Sequence, residues 1–287
     1  MVMITLLVLL AAIIAMVGMI WPWLARWLDG LSSFQLGFLA SLVAGLMTGV
    51  GALPVFFIRR MNQATEDALM GFGAGVMLAA TAFELVAPAI DLAGDRHDSM
   101  LMVIAVLVVG VGLGGGVLLA MSRLIPHESF RLRLNQGTDP GKARRIHLLI
   151  FALALHNLPE GLAVGVGFGG ELRDGITLAI GIGLQNMPEG MIVAVGMLVL
   201  GYRRITAFLV ALLTGLIQPI GGLVGAAAVG FSEMMLPWGL AFAAGAMLFV
   251  ISHEIIPESH RNGFPARATG GLFIGFLALV VIDIVIG

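Results

Sequence analysis

The sequence predicts an all-α polytopic membrane protein with about nine transmembrane helices, and three observations support this prediction. Of the 287 residues, 59% are hydrophobic and only 11% are charged, whereas a soluble domain carries roughly 25% charged residues. Long apolar stretches recur along the chain, and a helix needs about 20 such residues to cross a bilayer. The 40 glycines are about twice the usual ~7% share, and they follow no Gly-X-Y period. Such an excess is typical of closely packed membrane helices.

Nine apolar segments follow one another, separated by short segments rich in Arg, Asp, Gly and Pro. The predicted spans are 2–24, 36–58, 68–91, 100–122, 146–169, 175–200, 205–229, 236–260 and 268–286. The first span is longer than the apolar part of a signal peptide and lacks a basic start, so we expect it to be a retained helix.

The basic residues predict the orientation, because cytoplasmic loops collect Lys and Arg. Of the 15 basic residues, 12 fall in one set of alternate loops and only Arg26, Arg96 and Arg173 fall in the other. With nine helices, this distribution places the N-terminus inside and Gly287, the C-terminus, outside. The longest connection, 123–145, is then a cytoplasmic loop.

The composition also excludes several classes of function. The chain has no cysteine, which rules out disulfides, iron–sulfur clusters and thiolate metal sites. A formal net charge of -2 gives no basic surface for nucleic acid. Any bound metal must therefore be held by His, carboxylate, amide or thioether groups.

Several acidic residues lie within the apolar segments, although no Lys or Arg does. Those that sit in apolar sequence are Glu84, Glu160, Glu189, Glu254 and Asp283. An unpaired carboxylate at the centre of a membrane helix costs about 2.5–3.5 kcal/mol on insertion scales, so such residues face protein or water and mark ion or proton pathways. The available counter-charges are protons or bound cations.

Two of these acids belong to a local repeat. Residues 155–168 and 184–197 are identical at eight of fourteen aligned positions. The shared Asn-x-Pro-Glu-Gly is not explained by chance similarity among apolar residues. The repeat therefore predicts the same structural element on two consecutive helices.

The repeat places four ligand-type side chains at one depth of the membrane. His156 and Glu160 lie one turn apart on one helix face, and Gln185 and Glu189 do so on the next helix. Each pair begins about ten residues into its span, near the middle of a ~30 Å core. Such nitrogen and oxygen ligands suit zinc and other first-row divalent cations. The alternative is a hydrogen-bond network that only joins the helices, but it leaves both carboxylates unneutralised.

At these residues the sequence resembles the ZIP family of zinc- and iron-regulated permeases, in particular its bacterial branch. The tandem His-Asn-x-Pro-Glu-Gly and x-x-x-Pro-Glu-Gly elements carry the resemblance, which runs from about residue 36 to the C-terminus. It implies an eight-helix transporter core over 31–287 and an extra N-terminal helix over 1–30. It further implies a protein of the bacterial inner membrane that moves zinc into the cytoplasm.

The resemblance makes the metal a substrate and implies no cofactor. Iron, manganese, cobalt and cadmium are further candidate substrates. The lipid bilayer is the other expected partner, and nucleic acid is not. Gly-x-x-x-Gly pairs such as Gly45/Gly49, Gly221/Gly225 and Gly271/Gly275 permit close helix contacts either within a chain or in a homodimer, and the sequence leaves both open.

The resemblance also implies a metal site with a second position beside it. The first position would use Met77, His156, Glu160, Gln185 and Glu189, although Met77 on its own is equally consistent with core packing. The second would use Asn157, the same two glutamates and two acids that are replaced here by Asn186 and Gln218. Two cations about 4 Å apart repel by several kcal/mol at an effective dielectric near 20. Because only two carboxylates are present, we expect one tightly held ion and a weak or empty second position.

Further acids outline an entry path on the predicted outer side. Met77, Glu84 and Asp91 recur every seven residues on the third span, which predicts a polar stripe along one helix face. Asp91 is also consistent with an ordinary loop acid at the end of the span. Asp283 lies near the outer end of the last span, and the resemblance assigns it to the outer mouth.

A second cluster lies near the predicted cytoplasmic end of the eighth span. It consists of His253, Glu254, Glu258 and His260. These residues are predicted either to relay the ion toward the cytoplasm or to form an interfacial cap with hydrogen-bonded histidines.

Two other classes of function compete with transport. An intramembrane zinc-dependent hydrolase is suggested by His253-Glu254, which begins like His-Glu-x-x-His, but Pro257 stands where the second histidine should be. A metal sensor would need a soluble output surface, and 123–145 is the only connection of any length. The sequence therefore favours transport.

Overall fold

The computed structural model describes residues 30–58, 61–96, 99–124, 140–261 and 263–286. Throughout these ranges the regular secondary structure is helical and no strand occurs. The predicted N-terminal helix over 1–30 lies outside the described residues except for its last residue, and so does most of the predicted loop over 123–145.

The described residues form a series of α-helices with two π-helical turns. The α-helices are α1 (Ser33–Ala52), α2 (Gln63–Ala80), α3 (Ala87–Arg96), α4 (Met100–Leu124), α5 (Pro140–Gly167), α6 (Leu172–Val199), α7 (Arg204–Gly215), α8 (Gln218–Phe231), α9 (Leu236–Val250), α10 (Ile256–Arg261) and α11 (Pro265–Ile286). The π-helical turns are Thr81–Val86, between α2 and α3, and Ile251–Ile255, between α9 and α10.

Seven helical segments of the described residues are long and apolar enough to cross a membrane. They are Ser33–Phe56, Gln63–Arg96, Met100–Arg123, Leu172–Val199, Arg204–Phe231, Leu236–Arg261 and Pro265–Ile286. Each coincides with a predicted span to within a few residues. Helix α5 covers most of the remaining predicted span of the core, 146–169, and starts six residues earlier, within the predicted loop. The all-helical membrane architecture is confirmed, whereas the count of nine and the orientation stay predictions.

Local sequence sets the helix ends. The Ser32 hydroxyl accepts a hydrogen bond from the Gln35 backbone N–H at the start of α1, and the Gln35 side chain accepts one from the Ser32 N–H. Asn62 caps α2 in the same manner, through the Thr65 N–H. Between α10 and α11 the chain turns at Gly263, whose φ of 108° favours glycine.

Three of the predicted spans are interrupted. The two π-helical turns each widen the helix by one residue per turn, and each carries an acid, Glu84 in one and Glu254 in the other. The predicted span 205–229 consists of two helices, because α7 ends at Gly215 and α8 restarts at Gln218-Pro219. Proline suits the first turn of a helix, where its missing N–H is not needed.

The helices pack as two groups. Group A contains α1, α5, α6, α7 and α8, and group B contains α2, α3, α4, α9, α10 and α11. The two groups meet where α2 packs on α6 and where α9 packs on α5.

Glycines join the helices within each group. A Cβ added at Gly161 of α5 would overlap the carbonyl oxygen of Gln218 in α8, and one at Gly71 of α2 would overlap that of Ala268 in α11. Among the glycines that the structure describes, every approach this close to another helix's backbone lies within one group. Contacts between the groups run through side chains, as between Val166 of α5 and Gly239 of α9.

The Gly-x-x-x-Gly pairs, which the sequence left open, are used within the chain. Gly45 approaches the Gly215 carbonyl and Gly221 the Leu158 carbonyl, while Gly271 approaches that of Ala68. These faces are therefore covered by helices of the same chain, and a homodimer would need another surface.

Candidate metal site

The repeat occupies the C-terminal halves of α5 and α6, which are both 28 residues long and run without interruption through Pro159 and Pro188. The glycine that ends each Asn-x-Pro-Glu-Gly element is a packing position. A Cβ at Gly161 would meet the Gln218 carbonyl of α8, and one at Gly190 would meet the Thr48 carbonyl of α1. The Pro-Glu-Gly element thus places its glutamate where a third helix comes close.

The four ligand-type side chains of the repeat are all buried. His156 is 3% exposed and Glu160 1%, while Gln185 is 0% and Glu189 6% exposed. The Gln185 amide nitrogen donates a hydrogen bond of 2.6 Å to Oε1 of Glu160, which joins α6 to α5. The two carboxylates are close enough to interact electrostatically. The structure therefore brings the two halves of the repeat together, as the sequence predicts.

The second-position residues form a network of amides. Asn186 donates from Nδ2 to Oε1 of Gln218 and to the carbonyl oxygen of Ala44, both at 2.8 Å. Its Oδ1 accepts a hydrogen bond of 2.6 Å from the Gln185 amide nitrogen. Asn157 donates to the Leu153 carbonyl of its own helix. The amides of Gln185, Asn186 and Gln218 therefore form one hydrogen-bonded network.

His156 is bonded to a residue of the other helix group. Its Nε2 lies 2.8 Å from Oε2 of Glu254, in the π-helical turn Ile251–Ile255. Sequence reasoning placed Glu254 on the cytoplasmic side of the path and missed this contact, because the two residues are distant in the chain. A metal-binding histidine usually donates its second ring N–H to a carboxylate in this way.

Several buried polar atoms at the repeat have no hydrogen-bond partner within the part of the chain that the structure describes. They are Nδ1 of His156, Oδ1 of Asn157, Oε2 of Glu160, Oε1 of Gln185 and both carboxylate oxygens of Glu189. Leaving such atoms buried and unpaired costs free energy. All of them are atom types that coordinate divalent cations.

The site is not a cage of acids and histidines alone. Within the described ranges, no three His, Asp or Glu side chains lie together closely enough to hold a metal ion. Glu160 and His156 are each partly occupied, by Gln185 and Glu254 respectively. A cation at this position would therefore depend on amide or thioether groups as well.

Met77 lies on the helix that faces Gln185 from group B. A Cβ built at Gly73 of α2 would be 3.7 Å from Oε1 of Gln185, which places that oxygen beside α2. Met77 follows Gly73 by four residues on the same helix face, and it is 0% exposed. Its position is thus compatible with a thioether ligand as well as with core packing.

The predicted entry residues have different surroundings. Glu84 is only 3% exposed and lies in a π-helical turn, whereas Asp91 of α3 is exposed. Asp283 accepts a hydrogen bond of 2.9 Å from Arg173, just inside α6. Asp283 therefore has a basic partner, and Arg173 lies just outside the predicted span 175–200.

The predicted exit residues contact different parts of the structure. His253 stacks on Phe249 with ring centroids 4.8 Å apart, and Glu258 pairs with Arg261. His260 bonds to Ser259, to the Ile256 carbonyl and to Thr269. Glu254 is bonded to His156 of the repeat.

Sequence reasoning also missed Asp67, a fully buried acid near the start of α2. One oxygen accepts from the Gln63 side chain, and the other from the Phe264 backbone N–H that precedes α11. These bonds fasten α11 to α2 and give Asp67 a structural role. Its position just outside a predicted span, at a helix start rich in polar residues, gave no signal of burial.

Comparison with known proteins supports the family that the repeat indicates. A family model described as ZIP zinc transporter matches residues 136–283. Zinc transporter GufA of Myxococcus xanthus is 44% identical over 88% of this chain and 99% of its own length. Zinc transporter ZIPB of Bordetella bronchiseptica is 39% identical over 84% of this chain and 78% of its own. Zinc transporter ZIP11 of Homo sapiens is 32% identical over 91% of this chain and 100% of its own.

The matched region includes both halves of the repeat, and the identity extends over most of the chain in each of these relatives. Together with the seven membrane-spanning helical segments, this shows an integral membrane protein. The chain belongs to the ZIP family of zinc transporters.

Proposed function

We propose that this chain carries zinc across the bacterial inner membrane into the cytoplasm. The observation that carries the proposal is the buried set of unpaired oxygen and nitrogen atoms on α5 and α6, found within the described residues. A divalent cation bound at the repeat would supply the partner that the described residues do not give these atoms, and family membership makes zinc the first candidate. Iron, manganese, cobalt and cadmium are further candidates of the same ligand preference.

Each proposed ligand contributes one atom type to the site. Glu160 and Glu189 supply negative charge equal to that of one divalent ion. His156 supplies Nδ1, because its Nε2 is turned to Glu254. Gln185 supplies its amide oxygen and Met77 its thioether, while Asn157 offers Oδ1 at the edge of the site.

The charge of the site favours one bound ion. Asn186 and Gln218 are neutral and already hydrogen bonded to each other. A second cation there would meet no additional carboxylate to offset its repulsion from the first. We therefore propose that the second position is weak or empty.

Transport would proceed by movement of group A relative to group B. The tight glycine contacts make each group a unit, and the contacts between groups are made by side chains that can exchange partners. The proposed ion path runs from Glu84, Asp91 and Asp283 to the site and then along Glu254 and the neighbouring exit residues His253, Glu258 and His260. With the N-terminus inside, this direction is uptake.

The hydrolase alternative gains no support. The relatives named above are zinc transporters. Glu254, which would be the general base of a His-Glu-x-x-His motif, is bonded to His156 instead.

Zinc uptake into proteoliposomes tests the proposal. We expect Glu160→Ala and Glu189→Ala each to reduce initial uptake at least tenfold, because each removes a charged ligand from a buried site. Glu171→Ala is the matched control, since it removes an exposed acid just before α6, and it should transport as wild type does. Unchanged uptake in both site variants, at equal protein content, would overturn the assignment.

A further inference from the structure

Asn186 lies at the centre of a hydrogen-bond chain that links three helices of group A. Its amide nitrogen donates to the carbonyl oxygen of Ala44 in α1 and to Oε1 of Gln218 in α8. Its amide oxygen accepts from Nε2 of Gln185, its neighbour in α6, at 2.6 Å. All three side chains of the chain are 0% exposed.

The Ala44 carbonyl fixes the direction of this chain. A backbone carbonyl oxygen can only accept a hydrogen bond, so the atom of Asn186 that lies 2.8 Å from it must be the NH2 group. The oxygen of Asn186 then faces Gln185. Gln185 must in turn present its own NH2 group to Asn186, because two amide oxygens would repel each other.

The orientation of Gln185 determines which of its atoms can meet a cation. Its two N–H groups are used, one by Oδ1 of Asn186 and one by Oε1 of Glu160. Its Oε1 is buried without a hydrogen-bond partner among the described residues. An amide coordinates metal ions through its oxygen, since its nitrogen has no available lone pair.

We infer that Asn186, with Gln218 behind it, is a positioning residue that turns the Gln185 amide oxygen toward the transported cation. Asn186 does this without coordinating the ion. The inference rests on the proposed function, because it takes Gln185 to be a ligand. The inference assigns a role to the two neutral amides at the second position, Asn186 and Gln218. The absence of acids alone would not explain why amides stand there.

An aspartate at position 186 could not do the same. Its carboxylate would still accept from Gln185, but it could not donate to the Ala44 carbonyl or to Gln218. The carbonyl oxygen of Ala44 would then face a buried negative charge, which is costly, whereas Gln218 can turn its unpartnered amide nitrogen toward the carboxylate. The network as it stands requires an amide at position 186.

A double-mutant cycle of zinc binding to the purified full-length protein tests the inference. We expect Asn186→Leu to lower zinc affinity about tenfold or more, as is usual for residues that orient a metal ligand. Gln185→Ala should lower it by a similar factor. The double variant should bind no more weakly than Gln185→Ala alone, because Asn186 acts only through Gln185. Wild type should bind one ion per chain.

X-ray absorption at the zinc edge supplies a readout that a purely structural role does not change. The Asn186→Leu protein should show one oxygen neighbour fewer around zinc than wild type does. Thr214→Val is the control for the loss of a buried hydrogen bond, because Thr214 donates to the Ala211 carbonyl of its own helix, and it should leave affinity and spectrum unchanged.

Gln218→Met provides a second route should Asn186→Leu not fold. It removes only one acceptor of the Asn186 amide, so we expect a smaller loss of affinity that again disappears in the Gln185→Ala background. The inference is wrong if Asn186→Leu and Gln218→Met each lower zinc affinity equally with Gln185 present and in the Gln185→Ala background. It is also wrong if neither variant lowers the affinity in either background.

The cycle separates this inference from the proposed function. If wild type binds no zinc, or if Glu160→Ala and Glu189→Ala bind it as well as wild type does, the proposed function fails. If those variants lose zinc while Asn186 and Gln185 contribute independently, only the inference about Asn186 is wrong.

Discussion

At the scale of single residues, the contact between His156 and Glu254 shows how the imidazole is oriented. An imidazole that donates one N–H to a carboxylate is held in one tautomer, with its other nitrogen free to coordinate. Nδ1 of His156 is that nitrogen, and it has no hydrogen-bond partner among the described residues. We therefore expect Glu254 to position His156, in addition to its proposed place on the exit path.

Removal of the Glu254 carboxylate should weaken zinc binding. We expect Glu254→Leu to lower zinc affinity about 10–100-fold, because the imidazole loses the acceptor that fixes its tautomer. Glu254→Gln should lose less, since its amide oxygen still accepts from Nε2. Zinc titration of the purified protein measures both. Glu171→Gln, which changes an exposed acid just before α6, is the control, and wild-type affinity in Glu254→Leu would contradict the assignment.

The residues that the sequence could predict are those whose relations are local. His156 with Glu160, and Gln185 with Glu189, follow from the spacing of one helical turn, and the structure brings the two pairs together. The contacts of His156 with Glu254 and of Asp67 with Phe264 join residues from distant parts of the chain. No local pattern encodes such contacts, because they depend on which helices pack together.

For the helices, hydrophobicity predicts where a span lies but not how it is interrupted. Continuous apolar runs located the spans to within a few residues. A π-helical turn inserts one residue without changing that apolar character, so Thr81–Val86 and Ile251–Ile255 have no signature in the sequence. The break before α8 did have a signal, namely the proline of Gln218-Pro219.

The glycine of the repeat sets the distance between α5 and α8. We expect Gly161→Ala to destabilise the protein by about 1–3 kcal/mol, as overpacking usually does, because its methyl group would overlap the Gln218 carbonyl. Gly116→Ala in α4 is the matched control, since nothing lies within 4 Å of its Cβ position. It should stabilise its helix by up to about 1 kcal/mol.

Thermal unfolding of the two purified proteins in detergent checks this prediction. The melting temperature should fall for Gly161→Ala and stay level or rise for Gly116→Ala. A Gly161→Ala protein that melts with wild type would show that α5 and α8 can separate without cost, which contradicts the tight contact.

At the scale of the whole molecule, the site lies on the boundary between two bodies. Group A contributes Glu160, Gln185 and Glu189. Group B approaches them through Gly73 and Met77 of α2 and through Glu254. Among the described residues, the glycine positions where a Cβ would overlap another helix's backbone all lie within one group. Movement of one group past the other would therefore carry the carboxylates along and exchange their partners. The sequence could not predict this division, because the apolar character of a helix does not specify which other helices it packs against.

A disulfide between the two groups should stop transport if they move past each other. A Cβ built at Gly239 of α9 would be 3.9 Å from the Cβ of Val166 in α5, within the range that a disulfide requires. The chain has no native cysteine, so Val166→Cys with Gly239→Cys forms a single defined pair. We expect oxidation to reduce zinc uptake into proteoliposomes at least tenfold and a reductant to restore it.

A second pair shows whether the block comes from the boundary or from the cross-link itself. A Cβ at Gly49 of α1 would be 3.6 Å from the Cβ of Leu212 in α7, and both helices belong to group A. Because these helices would move together, a Gly49→Cys/Leu212→Cys disulfide should leave uptake near that of the reduced protein. Equal uptake by the oxidised and reduced Val166/Gly239 pair would instead mean that zinc crosses with the groups fixed, as in a channel.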